Sequence, residues 1–369
     1  MTIPSRHCFI RLCFTIAFVA ELISCAARAP KLDYPVTIGP IKEFDEKVNI
    51  KPIEPSPGGA SGEVKDNVIE TKKSEELAVL PPKLGLEPTV KIEMKGKGKK
   101  KKGTNQIVQE PDPKATPEPR LPEIEDSENF NGRRPIADPF REGEKVTLMM
   151  TYFGVSAGDA TLEVHPFVEV NGRKAYHFYS KLTSSSVFSM FYKVDDFCES
   201  YMDYEQLVPL TFTLSAVETK QLREVRQFFD WKKKKADYWE KRVTKESGVE
   251  EKNQSWDLVP YSQNIYTAVQ YIRTFALKDD KTYVYHVSDD GRAWDVRATV
   301  VRREILKTDL GNFKTVVIKP EVATEGVLKP MGEVLCWYTD DDRKFPVKVE
   351  SKIKIGKVIG YLKALDRGT

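Results

Sequence analysis

From Lys145 to the C-terminus the apolar residues of this chain recur with a period of two, and a single stretch breaks that pattern. In KVTLMMTYFG, residues 145–154, Val146, Leu148, Met150 and Tyr152 alternate with Lys145, Thr147, Met149 and Thr151. That spacing predicts a strand with one face buried. DATLEV (159–164) and VEVNGRKAYHFYSKL follow. Asn171-Gly172 in the second is the dipeptide that two-residue hairpins prefer, because both positions need positive φ. Further strands are predicted at 187–194, 210–217 and 222–231, with a return at 236–244 after the lysine turn at 232–235. Another hairpin spans 282–306 and turns at Asp290-Gly291. The C-terminal run holds GNFKTVVIKPEV, GEVLCWYTDD, FPVKVESKIKI and KVIGYLKAL.

The exception is YSQNIYTAVQYIRTFAL, residues 261–277. Ile265, Ala268, Val269, Ile272 and Phe275 or Ala276 fall on one side of a helix. Gln263, Thr267, Gln270 and Arg273 fall on the other. Ser262, after Pro260, is the expected N-cap. One amphipathic helix among ten or more antiparallel strands has one economical destination, the concave face of a curved sheet. The expected fold is mainly β: a large curved antiparallel sheet, half-barrel or two-sheet barrel-like, packed on one helix.

Upstream the composition changes. Between Ala26 and Arg134 the chain is dense in proline, lysine, glutamate and glycine and has no sustained apolar period. Such a segment buries too little apolar surface to offset its ordering entropy. It is expected to be a disordered tether, spanning roughly 55–60 Å as a flexible coil. Within it, residues 91–103 (KIEMKGKGKKKKG) carry seven lysines against one glutamate. Lys97, Lys99, Lys100, Lys101 and Lys102 form either a solvated spacer or a contact for an anionic polymer. No aromatic residue interleaves with them, so base stacking has no platform and nucleic acid is not an expected partner. The chain as a whole has 58 basic and 55 acidic residues, so the basic feature is local.

At the start of the chain, Arg6 and Arg11 precede the apolar run Phe14–Ala20, the layout of a secretory signal. The run is shorter than the ~20 apolar residues a spanning helix needs. Leu22, Ile23, Ser24 and Cys25 resemble the lipobox of bacterial lipoproteins, which implies acylation of the Cys25 thiol and cleavage before it. An ordinary signal cut after Ala26 or Ala27 is the other reading, and Glu21 keeps it open. The expected organisation is thus a signal at 1–24, a tether at 25–134 and a β domain at 135–369. The implied address is the bacterial envelope, held to a membrane by lipid. Ala26, in place of an aspartate after the cysteine, favours the outer membrane over the inner.

The domain also resembles the bacterial domain-of-unknown-function family 3108 over residues 138–367. The opening pattern is matched by Gly143, Glu144, Tyr152, Gly154, Val155, Ala157 and Gly158. The closing pattern is matched by Trp337, Asp340, Arg343, Pro346 and Val347, and the helix carries the expected Tyr266 and Arg273. The family is similar in outline to lipoprotein carriers, whose curved sheet encloses helices and an apolar cavity, but the resemblance assigns no catalytic residue.

The remaining chemistry-bearing residues give little. His165, His177 and His286 have no HExxH or CxxC spacing around them, so no metal or cofactor is expected. Cys198 and Cys336 either pair in an oxidising compartment or sit apart in the interior. Asp340, Asp341 and Asp342, before Arg343 and Lys344, are read as a turn in preference to a hard-cation site. Asp195-Asp196 and Asp279-Asp280 receive the same reading. No GxSxG, glycine-rich phosphate loop or SxxK occurs. The leading expectation is a non-enzymatic, lipid-anchored binding module for an apolar, glycan or protein ligand. The alternative is an envelope hydrolase working through carboxylates such as Asp340 or Glu333. A cleft with two carboxyl groups would favour the hydrolase; an apolar cavity would favour binding.

Overall fold

The computed structural model describes residues 38–53, 128–289, 291–324, 327–329, 333–352 and 356–369. The elements in chain order are α1 (Lys42–Asp45), β1 (Ile50–Pro52), β2 (Phe130–Asn131), β3 (Arg134–Pro135), β4 (Glu144–Tyr152), β5 (Val155–Val170), β6 (Arg173–Ser184), α2 (Ser186–Ser189), β7 (Val194–Asp203), β8 (Pro209–Glu218), β9 (Gln221–Asp230), β10 (Lys235–Thr244), β11 (Gly248–Asp257), α3 (Ile265–Tyr271), β12 (Thr282–Asp289), β13 (Arg292–Thr308), β14 (Gly311–Thr324), β15 (Val327–Lys329), β16 (Glu333–Thr339), β17 (Pro346–Lys352) and β18 (Lys357–Arg367).

Among the described residues, sixteen strands make one sheet. β11 back to β4 lie side by side, β18, β17 and β16 follow, and β14, β13 and β12 complete it; β1 adds to β5 and β15 to β14. The alternation in the sequence is what allows this, since most strands bury one face. Two-residue turns set the register at both ends of β5. Phe153 and Gly154 have φ of 49° and 76°, and Asn171 and Gly172 have 49° and 81°, the positive values such turns require. At Gly158 a Cβ would lie 2.0 Å from the Thr183 carbonyl oxygen, so a side chain there would force β5 away from β6.

The sheet does not close into a barrel. Its two end strands, β11 and β12, are not paired. At the seam the Trp256 indole donates to the Ser288 hydroxyl at 2.8 Å. The segment before α3 adds a parallel bridge, Gln263 N–H to His286 O at 2.8 Å and Ser288 N–H to Gln263 O at 2.8 Å.

That bridge feeds the chain into α3, which the sheet wraps. Ile265, Ala268, Ile272 and Phe275 are buried as the apolar spacing predicts, while Val269 of the same stripe is only half-buried. They join Tyr176, Phe178, Tyr283, Tyr285, Val316, Ile318 and Tyr338 in the largest core cluster. A second cluster links β4, β17 and β18 to β14 and β16 through Leu148, Met150, Val317, Trp337, Val347 and Val358.

Several expectations need correction. Asn264, not Ser262, caps the helix: its side chain accepts from the Thr267 amide and the Thr267 hydroxyl answers to the Asn264 amide. The helix ends at Tyr271 and continues as a 3-10 turn through Thr274. Gln263, Thr267, Gln270 and Arg273, on the polar side of the helix, are all buried as well. Residues 187–194 are not a strand; they form α2 and a connection, with β7 starting at Val194. β11 was not foreseen, because GVEEKNQSWD is an exposed edge strand that has little apolar pattern to show.

The boundary at residue 134 also moves. Residues 38–53 lie in the stretch read as tether, yet β1 pairs with β5 and Ile41 and Phe44 are buried against Trp239. Residues 128–134 likewise belong to the folded part, Phe130 packing edge-on to Phe275 at 5.7 Å. Short apolar contacts of this kind vanish in a composition averaged over a hundred residues. The signal segment, Cys25 and Lys97, Lys99, Lys100, Lys101 and Lys102 lie outside the described residues.

Candidate functional site

The inner face of the sheet holds two polar assemblies of opposite character. The first is closed. Glu144, at the start of β4, is 3% exposed and receives both guanidinium groups that reach it. Arg273 Nη1 lies 2.7 Å from Oε1, and Arg273 Nη2 and Arg343 Nη2 donate to Oε2 at 2.9 and 3.0 Å. Arg273 also donates to Gln270 Oε1 and to the Arg343 carbonyl, and Arg343 Nε to the Pro139 carbonyl at 2.8 Å. The node therefore ties the helix to the start of β4, the β16–β17 connection and the segment before β4. Arg273 is engaged by protein at Nε, Nη1 and Nη2 and its side chain is 0% exposed, so the node is built to hold the fold together. Glu144, Arg273 and Arg343 are residues of the family pattern quoted above.

The second assembly is open. Strand register sets its rows: Ser180, Cys198, Leu214, Val225 and Glu240 lie abreast, and Leu182, Asp196, Ala216 and Arg223 form the next row toward the strand ends. Cys198, Leu214 and Val225 face α3, where Tyr266 stacks on Phe212 at 4.6 Å. Above them the helix no longer fills the concave face. A recess remains, lined by Ser180, Leu182, Phe197, Cys198, Leu214, Ala216 and Tyr266 and by the charged residues Lys181, Asp196, Glu218 and Arg223, with a cavity volume of about 40 Å³. That is room for a few waters or for the end of one alkyl chain.

Two carboxyl groups mark its mouth. Asp196 accepts from the Val217 amide at 3.0 Å. Glu218 accepts from the Tyr192 hydroxyl and from Gln221 at 2.9 Å. Burial, then the charge of Glu218, pushes Asp196 up to about 8. Burial likewise pushes Glu218 up to about 7. Arg223 is engaged next to them by Glu240, at 2.7 and 3.1 Å, and by the Tyr238 hydroxyl at 3.1 Å. Burial raises the Cys198 thiol well above its usual range, so it stays protonated and acts as an apolar wall.

These shifts have a consequence for stability. Both folded values exceed the ordinary carboxylate range near 4, so the folded chain keeps protons that the unfolded chain has released. The stabilisation is complete below about pH 4 and is lost as pH rises through 7 to 8. Urea unfolding should give a lower free energy at pH 8.5 than at pH 5, by several kcal/mol and at most about 6 kcal/mol. Asp196→Asn should flatten that dependence. A stability that rises between pH 5 and 8.5 contradicts the buried pair.

The other residues singled out in the sequence lie elsewhere. Asp196 is not in a turn but on the buried side of β7, and this is the residue the sequence reading missed. Its signal was present: Val194, Asp196, Cys198 and Ser200 share one strand face. Asp341 does make the expected turn, accepting from Thr339, Arg343 and Lys344, and Asp340 pairs with Arg303 at the surface. Asp340 is therefore not a cleft carboxylate. His165, His177 and His286 pair with Glu163, Glu199 and Asp295. His165 and His177 are cross-strand neighbours with rings 4.7 Å apart, yet among the described residues no three His, Cys, Asp or Glu side chains gather into a metal site. Cys198 and Cys336 are both free.

Among solved structures, a β-barrel-like protein of domain of unknown function DUF1849 from Brucella abortus aligns at 11% identity and a TM-score of 0.40, over 62% of this chain and 98% of that one. A chain with a YmcC-like fold from Bacteroides fragilis aligns at 9% identity and a TM-score of 0.28, over 62% of this chain and 98% of that one. No curated protein matches. A model of the family described as "Protein of unknown function (DUF3108)" matches residues 147–363. The match takes in the strands that wall the recess, the helix beneath it and two of the three side chains of the closed node, and on it the chain belongs to the DUF3108 family.

Proposed function

We propose that this chain is a lipid-anchored envelope protein whose β domain binds, without catalysis, a small group with an apolar stem and a cationic head. The observation that carries the binding reading is the recess, with apolar walls below and the Asp196–Glu218 pair at its mouth. Two buried carboxyl groups resist ionising together. A cation seated between them offsets both the desolvation and the mutual repulsion. An alkylammonium, whether an alkylamine or an aminated envelope molecule, matches that order of surfaces. The envelope address rests on the lipobox-like Cys25.

Hexylamine is the simplest probe. It should raise the melting temperature of the wild type by mass action, since ligand at a hundred times Kd adds ~2.7 kcal/mol. Asp196→Asn and the recess-filling Ala216→Phe should abolish the shift. Hexanol and hexanoate should give less. An equal response from all three probes, or none from hexylamine, contradicts the reading. The anchor is tested separately: Cys25→Ser should release the protein from the membrane fraction or leave its signal uncleaved.

The carboxyl pair also favours one second reading, the hydrolase, because paired carboxylates are the machinery of many glycan-cleaving enzymes. In that reading Glu218→Gln abolishes turnover of an envelope glycan while amine binding survives.

A further inference from the structure

The strand ends around the recess carry exposed apolar side chains. Phe153 and Val155, at the β4–β5 turn, are 66% and 59% exposed. Val187, Met190 and Phe191, in and after α2, are 55%, 68% and 74% exposed. The two connections adjoin, the Ser185 hydroxyl donating to the Ser156 carbonyl at 2.9 Å and the Ser185 amide to the Ala157 carbonyl at 2.8 Å. Antiparallel order brings the β8–β9 and β10–β11 connections to the same end. Single exposed apolar residues need no explanation, but five on two touching loops mark an interaction surface.

We infer that this end of the sheet docks on an anionic lipid surface, with Phe153, Met190 and Phe191 inserted among the acyl chains. Charge argues for a bilayer. Lys193 and Lys245 lie exposed in the described connections of this end and Lys352 and Lys357 are exposed at its strand ends, against Glu246 in the connections and Asp195 and Asp289 at the strand ends. Apolar tips ringed by lysine suit headgroups that are negative outside and apolar beneath. The inference does not depend on how Cys25 is processed, nor on what the recess binds.

The test uses the chain from residue 26 onward, which keeps every described residue and removes the signal and the acylation site. A polarity-sensitive dye is attached at Phe191→Cys or, as a control at the opposite end, at Ile136→Cys; Ile136 is 74% exposed. With phosphatidylglycerol vesicles the dye at 191 should shift to the blue and be quenched by brominated acyl chains, and the dye at 136 should not. Phosphatidylcholine vesicles should give a weaker response. Met190→Asp with Phe191→Asp should lower vesicle binding by about tenfold or more, with the circular dichroism spectrum unchanged. Vesicle binding with no shift at 191 would mean that the Lys97–Lys102 block alone makes the contact, and would overturn the inference. So would a shift equal at both positions, or a sedimentation dimer that shields position 191 in the absence of lipid.

Discussion

Replacing Arg273 with alanine should cost about 3–5 kcal/mol of stability, a fall in melting temperature of roughly 6–20 °C for a domain of this size. The reason is the position of Glu144. Its carboxylate is 3% exposed and depends on two guanidinium groups. Removing Arg273 leaves a buried charge held by Arg343 alone, with the Gln270 amide and the Arg343 carbonyl also losing a donor. A buried ion pair gains little over well-packed apolar residues, yet breaking one side is expensive. Arg273→Met combined with Glu144→Gln should therefore recover much of the loss. A single-variant cost below about 1 kcal/mol in urea unfolding would remove the node from any central role in the fold.

Phe275→Ala should be comparably damaging, at about 3–5 kcal/mol. The ring is fully buried and meets Phe130, Tyr271 and Tyr283 at centroid distances of 5.7, 5.2 and 5.2 Å. It sits where the helix fills the concave face, so truncation opens a cavity with no route to collapse. Leu214→Ala is the matched control at the recess, where space already exists and only one wall retreats. It should fall nearer ~2 kcal/mol, the low end for such truncations. Equal costs at the two sites would mean that the concave face is filled uniformly, and the distinction between core and recess would fail.

The strands were legible because most are half-buried: Val146, Leu148 and Met150 announce an inner face by spacing alone. β11 was not, since an exposed edge strand carries charge in place of period. Residues 187–194 misled in the opposite direction. Their apolar content looks like a buried strand, but only Tyr192 and Val194 are buried, packing with Leu182 and Phe188, while Val187, Met190 and Phe191 sit at the surface. The helix was found from its apolar stripe, but the fate of its polar side was hidden. Arg273 is satisfied by Glu144, 129 residues away in sequence, and helical spacing cannot report a partner so distant. The recess was illegible for the same reason. Asp196 and Glu218 become neighbours only through the β7–β8 register, and adjacent aspartates in a sequence look first like a turn. The family pattern had in fact marked the node's three members, without saying that they touch.

The most direct check of the central claim is a crystal structure of the chain with a bromoalkylamine, read by anomalous scattering. The account predicts bromine between Leu182, Cys198 and Leu214, with the ammonium within hydrogen-bond reach of Asp196 and Glu218 and the helix unmoved. Bromine bound elsewhere, or a recess closed by Tyr266 with no ligand in it, would contradict it.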